Sequence, residues 1–321
     1  MHKFWCFIVL LILISCENDV RVNMDNDGLP VVYCVLDVDD TLQQVRLAKS
    51  FFPKKGYTDQ DHLTVAQWDE PVEIYIEEWT DSENPNIYNF IKADTIRQDT
   101  GYFANPSFQL FQTAFIPKPN IKYYLYLWFP QRNLYAYAST VVVEHPEIIT
   151  PAAIPGRKIT FSDMDDFIVE LRLPLNSGFH QFSFILNIEE HKGTELNRDF
   201  FNFGAQSYDG NNGQLLLYLL NSSRFYGDLL SRYDTLTGSD YRRIEGVEFV
   251  TYSYGEEMRL YNQLFNNGAQ PWEIQTYSSF KNGFGLFSSK THSRLTNLEL
   301  SELTYRLLTS DPRYAHMKFI R

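Results

Sequence analysis

Val31-Val32-Tyr33-Cys34-Val35-Leu36-Asp37-Val38-Asp39-Asp40-Thr41-Leu42 is the stretch whose continuation decides the fold. A β-branched apolar run ends among three aspartates, and the ten residues that follow say what kind of sheet it belongs to. A helical period after Thr41 would make it the first strand of a parallel sheet covered by helices. Instead Val45, Leu47 and Phe51 alternate with Arg46, Ala48 and Ser50, the two-residue period of a half-buried strand. Asp39-Asp40 then marks a hairpin turn, where aspartate is favoured because its side chain bonds to the backbone just beyond it. Strands over Val31–Leu36 and Leu42–Phe51 are therefore expected to pair antiparallel.

Working outward, the same period recurs. Val72-Glu73-Ile74-Tyr75-Ile76-Glu77 alternates apolar with mostly acidic side chains, and Tyr124–Phe129, the Pro130–Asn133 turn and Tyr135–Val143 form another hairpin. Strands separated by turn signals over residues 30–145 predict an immunoglobulin-like sandwich, without the cysteine pair of antibody domains. Pro146, Pro151 and Pro155 cannot all sit in a central strand, so residues 146–157 are expected to be a connection. Beyond it, residues 158–321 resume β patterns at Phe167–Leu173, Gln181–Ile188, Gln214–Leu220 and Glu248–Tyr254. One helix is predicted there: Ser253 and Glu256 have capping-box spacing, Met258, Tyr261, Leu264 and Phe265 keep helical period, and Asn266-Asn267-Gly268 stops it. A second short helix is predicted around Glu302–Leu308, before Pro312. The fold class is mainly β, an immunoglobulin-like N-terminal sandwich followed by a larger β-rich domain with one or two short helices.

Composition narrows the possibilities further. Of 321 residues, 44% are hydrophobic and 16% aromatic, enough to build a core and so to exclude a disordered chain. Lys and Arg number 28 against 40 Asp and Glu, a net charge of -12 that disfavours a general nucleic-acid binder. Met1–Lys3 and the apolar run Phe4–Ile14 have the form of a signal peptide, too short to span a bilayer. Leu13-Ile14-Ser15-Cys16 then resembles a bacterial lipoprotein cleavage site, which makes residues 1–15 the signal peptide and Cys16 the lipidated first mature residue. Residues 16–29 are polar and predict a tether. Cys34 alone would remain as a thiol, so no disulfide is expected within the mature chain.

Several motifs invite chemistry. The apolar strand with D-x-D-x-T resembles the first motif of haloacid-dehalogenase-type phosphatases, which would make Asp37 a nucleophile and Asp39 a general acid beside Mg²⁺. The strand-like pattern of residues 42–51 argues against it, as does the distance to the nearest acidic candidates, Asp163, Asp165 and Asp166. Asn23, Asp25, Asp27 and Gly28 begin like a calcium loop, but Cys34 stands where a bidentate Glu is required. His62, His145, His180, His191, His292 and His316 show no zinc-motif spacing. Tyr124, Tyr126 and Trp128 could form a stacking platform for a sugar or another flat ligand; a second packed face of a sandwich strand is the preferred reading. No cofactor and no metal is expected, and no catalytic residue is assigned.

Three places resemble an uncharacterised family of Bacteroidota outer-membrane lipoproteins. They are Cys16 followed by Pro30-Val31-Val32-Tyr33 and Arg46-Leu47-Ala48-Lys49-Ser50-Phe51, the hairpin through Ala138-Ser139-Thr140, and Phe280-Lys281-Asn282-Gly283-Phe284-Gly285-Leu286-Phe287. The resemblance implies genes lying beside TonB-dependent receptors and carries over no catalytic residues. The function expected is that of a lipid-anchored outer-membrane protein, on its periplasmic or cell-surface face, acting without catalysis as accessory or binding partner of a TonB-dependent transporter. The alternatives are a Mg²⁺-dependent phosphatase using Asp37 and Asp39, and a structural adhesin or surface-assembly component. Gly283 and Gly285 imply a tight turn or close backbone packing.

Overall fold

A computed structural model describes residues 28–50, 68–80, 83–93, 108–154, 156–162, 165–210, 213–233, 238–266 and 278–321. In chain order the elements are β1 (Pro30–Asp37), β2 (Leu42–Lys49), β3 (Glu73–Trp79), β4 (Asn86–Asn89), β5 (Ile91–Lys92), β6 (Gln109–Ala114), β7 (Lys122–Phe129), β8 (Leu134–Val141) and β9 (Glu147–Thr150). They continue with β10 (Lys158–Ile159), β11 (Phe167–Arg172), β12 (Ser177–Lys192), β13 (Glu195–Asp209), β14 (Leu215–Leu220) and α1 (Ser222–Tyr233). The last are β15 (Tyr241–Gly255), α2 (Glu256–Asn266), β16 (Phe284–Leu300), α3 (Glu302–Ser310) and β17 (Phe319–Ile320). The protein is mainly β.

The hairpin predicted from the opening stretch is present: β1 and β2 pair antiparallel from Pro30↔Lys49 to Cys34↔Val45. Val32, Cys34 and Leu36 face inward with Val45 and Leu47, and all five are buried. A four-stranded sheet, β4-β3-β7-β8, lies over this hairpin and β6. Its inward side chains Ile74, Ile76, Tyr123, Leu125, Leu127 and Phe129 join those of β1 and β2 in one core. That is a two-layer sandwich, in which alternate residues of each strand turn inward.

A second core lies under β11, β12, β13 and β15 and takes in α1, α3 and Met317. Phe161, Phe184, Phe203, Phe225 and Phe249 are buried at its centre. The two cores are not closed bodies joined by a linker. β16 pairs parallel with β1 from Val31↔Phe284 to Asp37↔Lys290, and antiparallel with β15 from Val247↔Leu298 to Tyr254↔Lys290. One ten-stranded sheet therefore runs through both halves. Phe287 belongs to the first core, Leu298 and Leu300 to the second.

The connection over 146–157 carries the short strand β9, which pairs with β11. The helix predicted after Glu256 is α2, and the one predicted at Glu302 is α3, capped by the Ser301 side chain accepting from the Thr304 N–H. The capping box itself is different from the expectation. Ser253 lies within β15 and bonds to His180, so the strand runs on to Gly255 before the helix starts. Helix α1 had no counterpart in the sequence reading, although Asn221 caps it by accepting from the Arg224 N–H.

Candidate functional site

The β1–β2 turn gathers the chemistry. Asp37 ends β1 opposite Lys290, whose Nζ lies 2.9 Å from Asp37 Oδ2. Asp37 Oδ1 accepts from the Asp39 N–H and Asp40 Oδ1 from the Leu42 N–H, the side-chain-to-backbone bonds for which turns select aspartate. Gln43, buried on β2, ties the turn from inside by donating to the carbonyls of Asp37 and Asp40. Asp39 is thereby aimed at β16. Its carboxylate meets His145 Nε2 at 3.0 Å, His292 Nδ1 at 2.7 Å, the His292 N–H at 2.9 Å and the Thr291 hydroxyl at 3.3 Å.

His145 reaches this point because the chain leaving β8 is fastened along β16. The Val143 N–H donates to Ser289 Oγ, and the Ser293 hydroxyl donates to the Pro146 carbonyl at 2.6 Å. Burial works to raise the Asp39 pKa. The hydrogen bond from His145, the His292 N–H and the charges of both imidazoles outweigh it, and the net shift is downward. The cluster ties the hairpin tip to the connection and to the shared strand. Residues 42–49, where a phosphatase would need a helix, form an antiparallel strand.

Behind this cluster the inner face of the shared sheet changes character. Between the two apolar cores it carries His180, Thr251, Ser253, Ser289 and Thr291, all buried. His180, Ser253 and Thr291 are cross-strand neighbours, and His180 Nδ1 lies 2.9 Å from Ser253 Oγ. Burial lowers the His180 pKa to about 4, so this imidazole is neutral at neutral pH. The row closes the inner face with hydroxyls where neither core reaches.

The other candidate is the outer face of the four-stranded sheet. Among the described residues no second layer packs on Tyr124, Tyr126 and Trp128, which corrects the preferred reading of that stripe. The core-facing set on β7 is Tyr123, Leu125, Leu127 and Phe129, one residue out of phase, and the outer set is only partly covered. Tyr126 stacks between Tyr75 of β3 and Tyr137 of β8 at ring separations of 5.1 and 6.0 Å, and Trp128 stacks on Tyr135 at 4.1 Å. Lys122 lies over Tyr124 and Lys281 over Tyr137. The rings stack on one another, leaving Tyr135 and Trp79 the most exposed of them at 46% and 41%. Burial, followed by the charge of Glu77, raises the Tyr126 pKa to about 12 and keeps it protonated.

The remaining candidates are spread through the fold. Asp166 accepts from the Ser222 N–H at the start of α1, and the Asp165 carbonyl accepts from the Ser222 hydroxyl, so both serve that helix start. Cys34 is a buried free thiol whose pKa burial pushes up. A cavity of about 320 Å³ lies among β12, β13 and β15, lined by Ile188, Glu189, Arg198 and Phe200, away from the aspartates in sequence and register. Cys16, Asp163 and His62 lie outside the described residues. Among the described residues no group of three His, Cys, Asp or Glu is placed to hold a metal ion, and no helix is long and apolar enough to cross a membrane.

No family model and no curated protein matches the chain. Among solved structures it is similar to the C-terminal globular domain of an oligosaccharyltransferase from Pyrococcus abyssi, at 11% identity and a TM-score of 0.25, over 68% of this chain and 45% of that one. It is also similar to the IG1 and IG2 domains of DIP-gamma, at 6% identity and a TM-score of 0.18, over 61% of this chain and 97% of that one. The CBD12 region of CALX1.2 is matched at 9% identity and a TM-score of 0.18, over 82% and 99%. Likenesses this slight carry nothing about activity.

Proposed function

We propose that this chain is a lipid-anchored outer-membrane protein that acts without catalysis, as an accessory or binding partner of a TonB-dependent transporter. Its N-terminal sandwich, on this reading, is immunoglobulin-like, and Cys16 carries the lipid. The observation that supports a binding role is the tyrosine and tryptophan ladder on β3, β7 and β8. Tyrosine and tryptophan concentrate in the energetic centres of protein interfaces, because they bring large area with few rotatable bonds. Here the rings already hold one another, so little ordering remains to be done on contact. Strands about 4.8 Å apart with outward positions about 6.8 Å apart make this face about 300 Å². That is the size of an interface centre, inside the roughly 800 Å² each partner buries in a standard complex.

The test is co-purification from detergent-solubilised membranes. The wild-type chain should bring down a TonB-dependent receptor, and the Tyr126→Ala, Tyr137→Ala double variant should lose it while remaining folded. Recovery of the receptor at the same yield with the double variant would remove the ladder from the interface. Magnesium-dependent phosphate release that disappears in Asp37→Asn would overturn the non-catalytic reading altogether. For the anchor, Cys16→Ala should accumulate as an uncleaved precursor, and fatty-acid label on that variant would refute the assignment.

A further inference from the structure

β14 stands at the edge of the three-stranded sheet β14-β11-β9. It reads Leu215-Leu216-Leu217-Tyr218-Leu219-Leu220. Leu216, Tyr218 and Leu220 turn toward the second core. Leu215, Leu217 and Leu219 turn the other way and are 51%, 64% and 58% exposed, with the half-exposed Ile168 beside Leu219 on β11. The ladder bonds of β14 all go to β11, in unbroken register from Phe167↔Leu220 to Arg172↔Leu215, and its outward edge has no backbone partner among the described residues.

Edge strands that must stay single are protected by a lysine, a proline, a bulge, an inward charge or extreme shortness. β14 has six residues, no charge, no proline and no bulge. We propose that β14 pairs antiparallel with β14 of a second copy of this chain, about a two-fold axis through Leu217. Self-complementarity is what selects a second copy as the occupant. A two-fold interface must place one surface against itself, and in this register Leu217 meets Leu217 while Leu215 meets Leu219, all on one face. A net charge of -12 would oppose the approach of two copies, but β14 contributes none of it, and on the strands behind it Arg172 of β11 is paired with Glu147 of β9, which leaves Glu170 as the one unbalanced charge of β11 and β9. Two three-stranded sheets become one of six, in which both β14 edges are paired and β9 stands at either end.

Cysteine substitution in the full chain reads the register directly. Facing residues of an antiparallel pair have Cα atoms about 4.5–5.5 Å apart, within disulfide range. Under mild oxidation Leu217→Cys should give a covalent dimer on a non-reducing gel, and the wild type should not. Leu215→Cys and Leu219→Cys should each stay largely monomeric alone and cross-link when mixed. As a second measurement, the wild type should sediment as a dimer and Leu217→Lys as a monomer with an unchanged far-ultraviolet spectrum. A wild-type monomer, a Leu217→Cys chain that joins only a different protein, or cross-linking through Ile168→Cys in preference to Leu217→Cys would each overturn the proposal.

Discussion

Gly285→Ala tests the junction that makes two cores one molecule. Gly285 sits in β16 at φ 118°, facing Val32 of β1 in the parallel ladder. A side chain there meets two separate costs. An L-residue at that φ is strained by about 1–3 kcal/mol. A Cβ at this position would also overlap the Val32 carbonyl oxygen and lie within 2.9 Å of the Val32 carbonyl carbon and nitrogen. That neighbour is backbone and cannot swing aside, so β1 and β16 must part locally. Losing about two ladder bonds, at roughly 0.5–1.5 kcal/mol each, brings the total to about 2–6 kcal/mol. Gly193→Ala is the matched control. It has φ 59° in the β12–β13 turn and nothing within 4 Å of a built Cβ, so it should cost only the conformational part, about 1–2 kcal/mol. Urea unfolding followed by tryptophan fluorescence and by far-ultraviolet circular dichroism measures both. Trp68 lies in the first core, Trp79 and Trp128 lie on the outer face of the sheet that covers it, and the dichroism reports on the whole chain; in the wild type the two curves should coincide, because β16 serves both cores. If the two alanine variants lose the same stability, or Gly285→Ala loses less than about 1 kcal/mol, the close approach of β1 and β16 is not what joins the halves.

Two predictions concern pH. Asp39 has a folded-state pKa below its unfolded value of 3.8, so its contribution is present above about pH 4 and disappears as pH falls through the folded value. Because solvent screens this partly exposed cluster, Asp39→Asn should cost only about 1 kcal/mol at pH 7, and the gap to the wild type should close as pH falls through the folded value; a gap that does not shrink on acidification would refute the clasp. His180 has the opposite consequence for the wild type: the unfolded chain takes up its proton near pH 6.5 while the native imidazole resists to about pH 4. Stability should therefore fall by about 3 kcal/mol between those values, and the fall should flatten in His180→Gln. Chemical denaturation at pH 7, 5.5 and 4 measures it, and a wild-type profile that stays level would show that His180 is hydrated.

The local parts of the fold were legible because local parts have local signals. Val31–Leu36 and Leu42–Phe51 carry a two-residue period on both sides of an aspartate turn, and α2 and α3 carry helical period with stop or cap residues. What was not legible is of three kinds. β16 runs through Ser288-Ser289-Lys290-Thr291-His292-Ser293-Arg294, and no apolar alternation marks it, because the seam it crosses is itself lined with hydroxyls and His180. Helix α1 did leave a signal, with Phe225, Tyr226, Leu229 and Tyr233 at helical spacing behind Asn221, but Gly227 in its middle weakens it. The phase of β7 is the third kind: Tyr123–Phe129 is aromatic or aliphatic at every position, so periodicity alone does not say which half faces in.

The candidate site was invisible for a deeper reason. Asp39 stands out in the sequence, but its partners stand 106 and 253 residues further along, and no motif with a spacing joins them. They meet because β1 adds in parallel to β16, a pairing that turn chemistry cannot specify as it specifies a hairpin. A parallel neighbour requires a crossover, and here nearly the whole chain is that crossover. The same pairing explains why Asp37 and Asp39 need no catalytic role to be where they are. Once β1 lies beside β16, its last residue must face Lys290 and the turn after it must face Thr291 and His292. Carboxylates at that corner close the end of a strand ladder with charge-assisted bonds, each worth more than a neutral one. Asp37→Asn keeps the size and the oxygen that accepts from the Asp39 N–H and gives up only the charge on the half-buried contact to Lys290, which solvent still screens, so a small loss, of about 1 kcal/mol, is what this geometry requires.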